Sequence, residues 1–289
     1  MKQPNFLIIG SPKSGTTSLY QYLSQHPEIE FSDRKEPKFF CWKDRDLDFC
    51  GNEKVLEQIK QSTIQDLNSY LMLFQKKEAR FIGEASADYF HTEIAPQNIR
   101  EFNPRMKLIL ILRNPIERAY SDWRHNVKMG YEPVKSFRKA IACIGERRLR
   151  NGVPYFEYLE KGNYSKHLKR YYEFFDPENI LVVTFDELEK DANVVCNQII
   201  HFLGIQESFH FNVEKVHMKN SYTPKYYVFH RWAKKLGTLS SSLELLIKDM
   251  NALPKKISRK EKVILLDYYK KEILELEKLI NRDLQHWIH

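Results

Sequence analysis

Cysteine is scarce in this sequence of 289 residues, and the patterns that would give it a structural role are missing. The four cysteines, at positions 41, 50, 143 and 196, form no Cys-x-x-Cys pair, and no two histidines stand at the spacing of a zinc site. Free thiols in a reducing compartment are the simplest interpretation. We therefore expect no disulfide framework and no metal site.

Long apolar runs, internal repeats and low-complexity linkers are also missing. A bilayer-spanning helix needs about 20 apolar residues, so none is expected. The first residues run directly into an apolar segment without a signal peptide, which makes the cytoplasm the default location. Because nothing divides the chain, we expect residues 1–289 to form a single domain.

Basic residues outnumber acidic ones, with 46 Lys and Arg against 38 Asp and Glu, for a net charge of +8. This balance favours anionic ligands such as nucleotides, nucleic acid, sulfated or phosphorylated substrates, or an anionic membrane. It does not choose among them. Aromatic residues make up 13% of the chain, enough for a sizeable core.

Short apolar runs predict buried strands over residues 5–9, 107–112 and 179–185. A helix follows the first strand, and another begins at about Ile116 and turns Ala119, Tyr120 and Trp123 inward. The pattern over 259–280 places Ile264, Tyr268, Leu276 and Leu279 among Glu and Lys, which is typical of an amphipathic helix that packs on the core or, alternatively, contacts a membrane. Strands that alternate with helices indicate an α/β fold with a mostly parallel sheet.

The segment that follows the first strand has the composition of a phosphate-binding loop. Two glycines, Gly10 and Gly15, permit a tight backbone path, and Lys13 supplies a full positive charge. A loop between a strand and a helix aims backbone N–H groups at one point, where the helix dipole adds positive charge. Hydroxyl donors are supplied by Ser14, Thr16, Thr17 and Ser18.

This loop differs from the Walker loop of ATPases and kinases. The two glycines have the Walker spacing, but Thr16 occupies the position of the phosphate-bridging lysine. That departure disfavours a nucleotide kinase or NTPase. A nucleic-acid-binding protein and a membrane-surface module built on the aromatic segment 226–247 also remain open, although no nucleic-acid-binding signature is present.

The stretch from Pro12 to Leu19, PKSGTTSL, resembles the 5′-phosphosulfate-binding loop of sulfotransferases that use 3′-phosphoadenosine-5′-phosphosulfate (PAPS). The stretch from Leu112 to Ser121, LRNPIERAYS, resembles the 3′-phosphate-binding segment of the same family. Further matches at 162–168, 181–188 and 276–287 extend the resemblance over nearly the whole chain. It implies a P-loop-like three-layer fold, with a central parallel sheet flanked by helices, and points to the bacterial and heparan-type branch.

The resemblance assigns a second set of nucleotide contacts. Arg113 follows a buried strand, where a guanidinium can grip a phosphate with two hydrogen bonds. Ser121 lies about two helical turns further on. Phe185 matches the aromatic residue that lines the adenine pocket. A loose match adds three contacts near the 3′-phosphate, Lys219, Asn220 and Ser221.

The segment KEPKFF, residues 35–40, resembles the heparan-type segment whose glutamate is the general base, and Glu36 occupies that position. Lys38 stands where that branch has histidine, and a lysine there can still contact the sulfuryl oxygens. Ala85 stands where relatives carry lysine, which weakens the case for a heparan-like acceptor. We hypothesise that Lys38 compensates for it.

Other acceptor contacts are expected from Ser86, Tyr89 and His125. Of these, His125 lies one helical turn after Ser121. Lys13 would neutralise the charge that grows on the leaving phosphate. The resemblance thus implies direct in-line transfer of a sulfuryl group from PAPS to a hydroxyl or amine of a small-molecule, lipid or sugar acceptor. The product nucleotide would be adenosine 3′,5′-bisphosphate (PAP), and the chemistry requires no metal and no nucleic-acid partner.

Overall fold

The computed structural model describes residues 2–47, 49–50, 53–150, 156–214 and 252–289. The predicted contacts Lys219, Asn220 and Ser221 lie outside the described residues, as does the aromatic segment 226–247.

Five parallel strands form one sheet in the order β2-β3-β1-β4-β5. They are β1 (Phe6–Gly10), β2 (Ile29–Phe31), β3 (Phe81–Ala85), β4 (Lys107–Leu112) and β5 (Ile180–Thr184). The three strands predicted from apolar runs are β1, β4 and β5. Two further strands escape that reasoning, because β2 has only three residues and β3 contains Gly83 and Glu84.

Helices connect and cover these strands. Their bounds are α1 (Thr16–Leu23), α2 (Phe39–Trp42), α3 (Glu53–Ser62), α4 (Leu67–Met72), α5 (Ala95–Phe102), α6 (Pro115–Met129), α7 (Phe137–Ala142), α8 (Ile144–Leu149), α9 (Tyr164–Tyr172), α10 (Phe185–Lys190), α11 (Ala192–Leu203) and α12 (Arg259–Ile280). Short 3₁₀ turns occupy Glu160–Gly162, Pro177–Asn179 and Gln285–Trp287.

Alternate residues of the central strands face two separate apolar cores. Leu7 and Leu110 belong to the core that α6, α9 and α12 cover, whereas Ile8 and Ile109 belong to the core that α1 and α11 cover. Side chains of a strand alternate between the two faces of a sheet, so a sheet buried on both faces needs apolar residues at every position. The predicted α/β fold, with a parallel sheet between two helical layers, is confirmed.

The terminal helix α12 forms as predicted, but two of the four apolar residues that define its pattern do not pack on the core. Ile264 and Tyr268 are 55% and 48% exposed. The buried residues are Leu265, Tyr269, Ile273 and Leu276. Apolar residues stand side by side at 264–265 and 268–269, so the periodicity fits two faces about 100° apart. Packing against α9 and α6, together with a hydrogen bond from the Tyr269 hydroxyl to the Leu159 carbonyl oxygen at 2.7 Å, selects the face.

No helix in the described part of the chain combines the length and the apolar character needed to cross a membrane.

Candidate active site

A large cleft lies at the carboxyl ends of the parallel strands. Its volume is about 1280 Å³, and its walls come from the segments that follow all five strands, together with α6 and α10. Ligands of open α/β sheets usually bind at this edge. The described residues that line the cleft include nine lysines and arginines but five aspartates and glutamates. The cleft therefore suits an anionic ligand.

One wall is the loop from β1 to α1. Gly15 precedes the helix with φ 97°, and a Cβ atom added there would lie 2.9 Å from the ring of Phe185. Glycine meets both requirements, because it adopts positive φ at little cost and leaves room for the aromatic ring. Lys13 also has a positive φ, of 67°. The loop and the Phe185 ring are thus in contact, so one adenine nucleotide could touch both.

The side chains of this loop divide into two groups. Thr16, Thr17 and Ser18 line the cleft, and Thr17 Oγ1 accepts a hydrogen bond from Lys35 Nζ at 2.7 Å. Ser14 is fully buried, with its Oγ 3.0 Å from Ser11 Oγ. The structure therefore brings three of the four predicted hydroxyls to the cleft and turns the fourth into the protein.

Lys13 lies in the cleft beside a buried group of charges. Burial lowers the pKa of its ammonium, and the negative charge of Asp122 opposes that effect. Asp122 itself is held by Lys161 Nζ and by Arg118 Nη1, each 3.2 Å from its Oδ2. These two ion pairs fix the position of the Asp122 carboxylate, whose negative charge partly offsets the effect of burial on Lys13.

The second predicted nucleotide contact lies next to the first. Arg113 follows β4, and its guanidinium carbon is 4.7 Å from the centre of the Phe185 ring. Its Nη2 atom is 2.8 Å from Oε2 of Glu117, one helical turn along α6. Ser121 lines the cleft from the same helix. The structure thus collects the loop, Arg113, Ser121 and Phe185 at one end of the cleft, here called the nucleotide side.

Glu36 and Lys38 line the same cleft from the segment that follows β2. This part of the wall, with the adjoining end of β3, is here called the acceptor side. Both residues have positive φ, of 58° and 56°. The Glu36 N–H donates to the Ala85 carbonyl oxygen at 3.1 Å, and its carboxylate accepts the Ala87 N–H at 3.1 Å. Non-glycine residues in this conformation need support from the surrounding structure. The end of β3 supplies that support.

Glu36 experiences opposing electrostatic effects. Burial raises the pKa of its carboxyl group, and the positive charge of Lys38 is the strongest opposing influence. Lys35 Nζ lies 3.9 Å from Oε1. A carboxylate whose pKa is raised is a stronger base, provided that it stays ionised at the working pH. Its position and basicity therefore suit proton abstraction from an acceptor.

Two predicted acceptor contacts do not reach the cleft. Ser86 and Tyr89 are fully buried. The Ser86 hydroxyl donates to Glu84 Oε2 at 2.8 Å, and the Tyr89 hydroxyl donates to Glu84 Oε1. Burial raises the pKa of Glu84 to about 8, even though three hydroxyl donors, the third from Tyr70, favour the ionised form. These residues form the floor beneath the acceptor side.

His125, a predicted acceptor contact, lines the cleft from α6. Burial and then the charge of Lys13 lower the pKa of its imidazole to about 4, so the ring is neutral at neutral pH. A neutral imidazole can accept or donate one hydrogen bond to a bound acceptor.

Sequence reasoning missed several charged residues of the cleft wall, among them Asp88, Asp122 and Lys161, which form ion pairs there. Each lies next to a residue that the sequence analysis names. Asp88 precedes Tyr89, Asp122 follows Ser121, and Lys161 precedes the matched segment 162–168. Their position next to a motif was the only sequence feature that could have identified these residues as part of the site. It did not show which of them would form ion pairs.

Comparison with known proteins identifies a family. A model of the sulfotransferase domain matches residues 3–234. The bifunctional heparan sulfate N-deacetylase/N-sulfotransferase 2 of Homo sapiens is 30% identical over 208 residues, which cover 70% of this chain and 22% of that protein. For N-deacetylase/N-sulfotransferase 3 of Homo sapiens the identity is 29% over 221 residues, covering 72% and 23%. This chain thus spans less than a third of the length of these relatives.

A solved structure covers the whole chain. The sulfotransferase from Alicyclobacillus acidocaldarius superposes with a TM-score of 0.80 and 28% identity, and the match covers 100% of both chains. A sulfotransferase domain from the curacin biosynthetic pathway has a TM-score of 0.50 and 16% identity, and covers 76% of this chain and 80% of that one. The latter similarity supports the fold alone.

Proposed function

This chain belongs to the PAPS-dependent sulfotransferase family, and we propose that it transfers a sulfuryl group from PAPS to a hydroxyl or amine by direct in-line displacement. One observation carries this proposal. The phosphate-binding loop, Arg113 with Phe185, and Glu36 come from distant parts of the sequence, and they line one cleft at the strand ends.

On the nucleotide side, the loop residues Lys13 to Ser18 would hold the 5′-phosphosulfate through backbone N–H groups and hydroxyls. Arg113 would exchange its contact with Glu117 for the 3′-phosphate, and Ser121 would add a hydroxyl to the same group. The Phe185 ring, already packed on Gly15, would contact the adenine.

On the acceptor side, Glu36 would take the proton of the attacking hydroxyl or amine. Lys13 would neutralise the charge that develops on the oxygen between sulfur and the departing phosphate. The S–O bond to the acceptor forms as the S–O bond to PAP breaks (for an amine acceptor, the bond that forms is S–N), so no covalent enzyme intermediate is needed. His125 would contact the acceptor between these groups.

The acceptor is proposed only by chemical class. The cleft has a volume of about 1280 Å³, part of which the nucleotide would occupy. The remaining space suits a small molecule, a lipid or a sugar. Ala85, in place of the lysine of heparan-type relatives, argues for an acceptor other than their polysaccharide. The cytoplasmic location stays a prediction, which subcellular fractionation would test.

Calorimetric titration with PAP and with adenosine 5′-phosphate, both in EDTA, tests the proposal. We expect PAP to bind at micromolar or lower Kd and adenosine 5′-phosphate to bind about 10–100-fold more weakly, because only PAP presents a group to Arg113. Equal affinities, or no binding of PAP, would overturn the proposal. Turnover of PAPS to PAP would then be measured with phenol, amine, sterol and oligosaccharide acceptors.

A further inference from the structure

Asp88 is an acidic residue of the cleft wall to which neither the motifs nor the proposed reaction assigns a role. Its Oδ2 atom lies 2.6 Å from Lys38 Nζ, the shorter of the ion pairs on the acceptor side. Both side chains are mostly shielded from solvent, with 11% and 19% exposed for Lys38 and Asp88. An ion pair this short and this shielded fixes the direction of a long, flexible side chain.

Backbone hydrogen bonds tie this pair to Glu36. The Lys38 N–H donates to Ser86 Oγ at 3.1 Å, while the Ala87 N–H donates to the Glu36 carboxylate. Residues 36 and 38 both have a left-handed backbone conformation. Hydrogen bonds from their N–H groups to Ala85 and Ser86 hold this segment against residues 85–88. Asp88 is therefore part of the same rigid unit as the proposed base.

We propose that Asp88 is a positioning residue, which holds the Lys38 ammonium against the inner wall of the cleft and leaves the Glu36 carboxylate to face the acceptor. This inference rests on the proposed function, in which Glu36 is the base. The inference also assigns a role to Lys38, which stands where heparan-type relatives have histidine. The positive charge of Lys38 would be shared between Asp88 and the sulfuryl group.

The charges around Glu36 support this assignment. Lys35 and Lys38 attract its negative charge, and Asp88 repels it. Asp88 is in turn faced by Lys38, His91 and Lys161. If Asp88 lost its charge, Lys38 would be drawn toward the remaining carboxylate, Glu36. A direct ion pair between Lys38 and Glu36 would then make Glu36 a weaker base and would keep its carboxylate from contacting the acceptor.

The test is a carbon-13 NMR titration of Glu36 in protein labelled at the glutamate carboxyl carbon and saturated with PAP. The Glu36→Gln variant identifies the signal. We expect Asp88→Asn to lower the titration midpoint by about one pH unit and Lys38→Met to raise it by about one pH unit, because each removes one charge of opposite sign. The double variant removes both charges together, so its midpoint should return near that of the wild type.

Glu132→Gln is the matched control. Glu132 is fully buried and paired with Arg147 Nη1 at 2.8 Å, outside the cleft lining. It should lower Tm as any broken buried pair does, without moving the Glu36 midpoint. An Asp88→Asn variant that lowers Tm and leaves the midpoint in place would reduce Asp88 to a structural role and overturn the proposal. If that variant does not fold, an unchanged midpoint in Lys38→Met overturns it equally.

The readout also separates the two proposals. Absence of PAP binding or of PAPS turnover in the wild-type protein would contradict the proposed function, whatever the variants do. If turnover is present, Asp88→Asn should lower kcat about tenfold with little change in the KM for PAPS, since the nucleotide side is untouched. A changed KM with constant kcat would place Asp88 in nucleotide binding instead and overturn the positioning role.

Discussion

The two sides of the cleft are built in different ways. On the nucleotide side, the path of the backbone sets the geometry, since a glycine, a strand end and a helix start form the proposed phosphate site. On the acceptor side, ion pairs between distant side chains set the geometry, as in Lys38 with Asp88. The nucleotide side keeps the family motif in the loop 12–19 and the segment 112–121, whereas the acceptor side departs from it at Lys38 and Ala85. In the proposed function, the ligand shared by the whole family would thus be held mainly through the backbone, and the variable acceptor through exchangeable side chains.

Lys13→Ala should have the largest effect, because Lys13 is the one residue proposed to serve both sides. We expect turnover to fall about 10³-fold, as when a transition-state donor is removed. PAP affinity should also fall about tenfold. Lys43→Ala, which removes one positive charge from outside the cleft lining, is the control. Equal effects of the two variants would reduce the role of Lys13 to general electrostatics.

Glu36→Gln should separate the two sides. Turnover should fall about 10²-fold because the base is lost, while PAP affinity stays within a factor of about two. In the wild type, burial raises the pKa of Glu36, so activity should decline on acidification at a pH above the ordinary glutamate range. Initial rates from about pH 4.5 to about pH 8.5 would show this limb. A limb that persists in Glu36→Asp but vanishes in Glu36→Gln would confirm its origin.

Arg113→Ala should affect the nucleotide side alone. We expect PAP to bind about 10–100-fold more weakly and adenosine 5′-phosphate to bind as before, since only PAP offers the 3′-phosphate. Calorimetry with both nucleotides measures the difference. Arg113→Lys keeps the charge but loses the planar fork, so it should recover only part of the affinity. Equal losses for both nucleotides would remove Arg113 from its assigned contact.

Glu84→Gln tests the floor of the acceptor side through stability. The pKa of Glu84 is raised from 4.5 to about 8 in the folded protein. The folded state therefore keeps a proton that the unfolded chain has lost, and stability should fall as pH rises from about 4.5 to about 8, by at most about 1.4 kcal/mol per pH unit. Glutamine stays uncharged, so the Tm of the variant should rise relative to the Tm of the wild type as the pH increases over this range.

Thermal melts at half-unit pH steps would measure this trend, with Glu101→Gln, on an exposed helical surface, as the control. Parallel curves for the wild type and Glu84→Gln would contradict the raised pKa.

Most of the fold was predictable because its signals are local. The apolar runs that form β1, β4 and β5 are continuous in sequence, and the residues of the loop 12–19 are contiguous, so their composition alone indicates a phosphate site. Strand β3 was missed because Glu84 interrupts its apolar pattern. Only the fold supplies the hydroxyls of Tyr70, Ser86 and Tyr89 that make this buried glutamate tolerable.

The sequence by itself thus determined the family and the parallel sheet, and it predicted the residues that line the nucleotide side, since a strand, a tight loop and a helix start are encoded by neighbouring residues. The tertiary structure decided which face of α12 is buried, that Ser86 and Tyr89 lie beneath the cleft, and which charges pair. Lys38 meets Asp88 across 50 positions and Asp122 meets Lys161 across 39. Such contacts depend on where the parallel strands end in space, and no local pattern records that position.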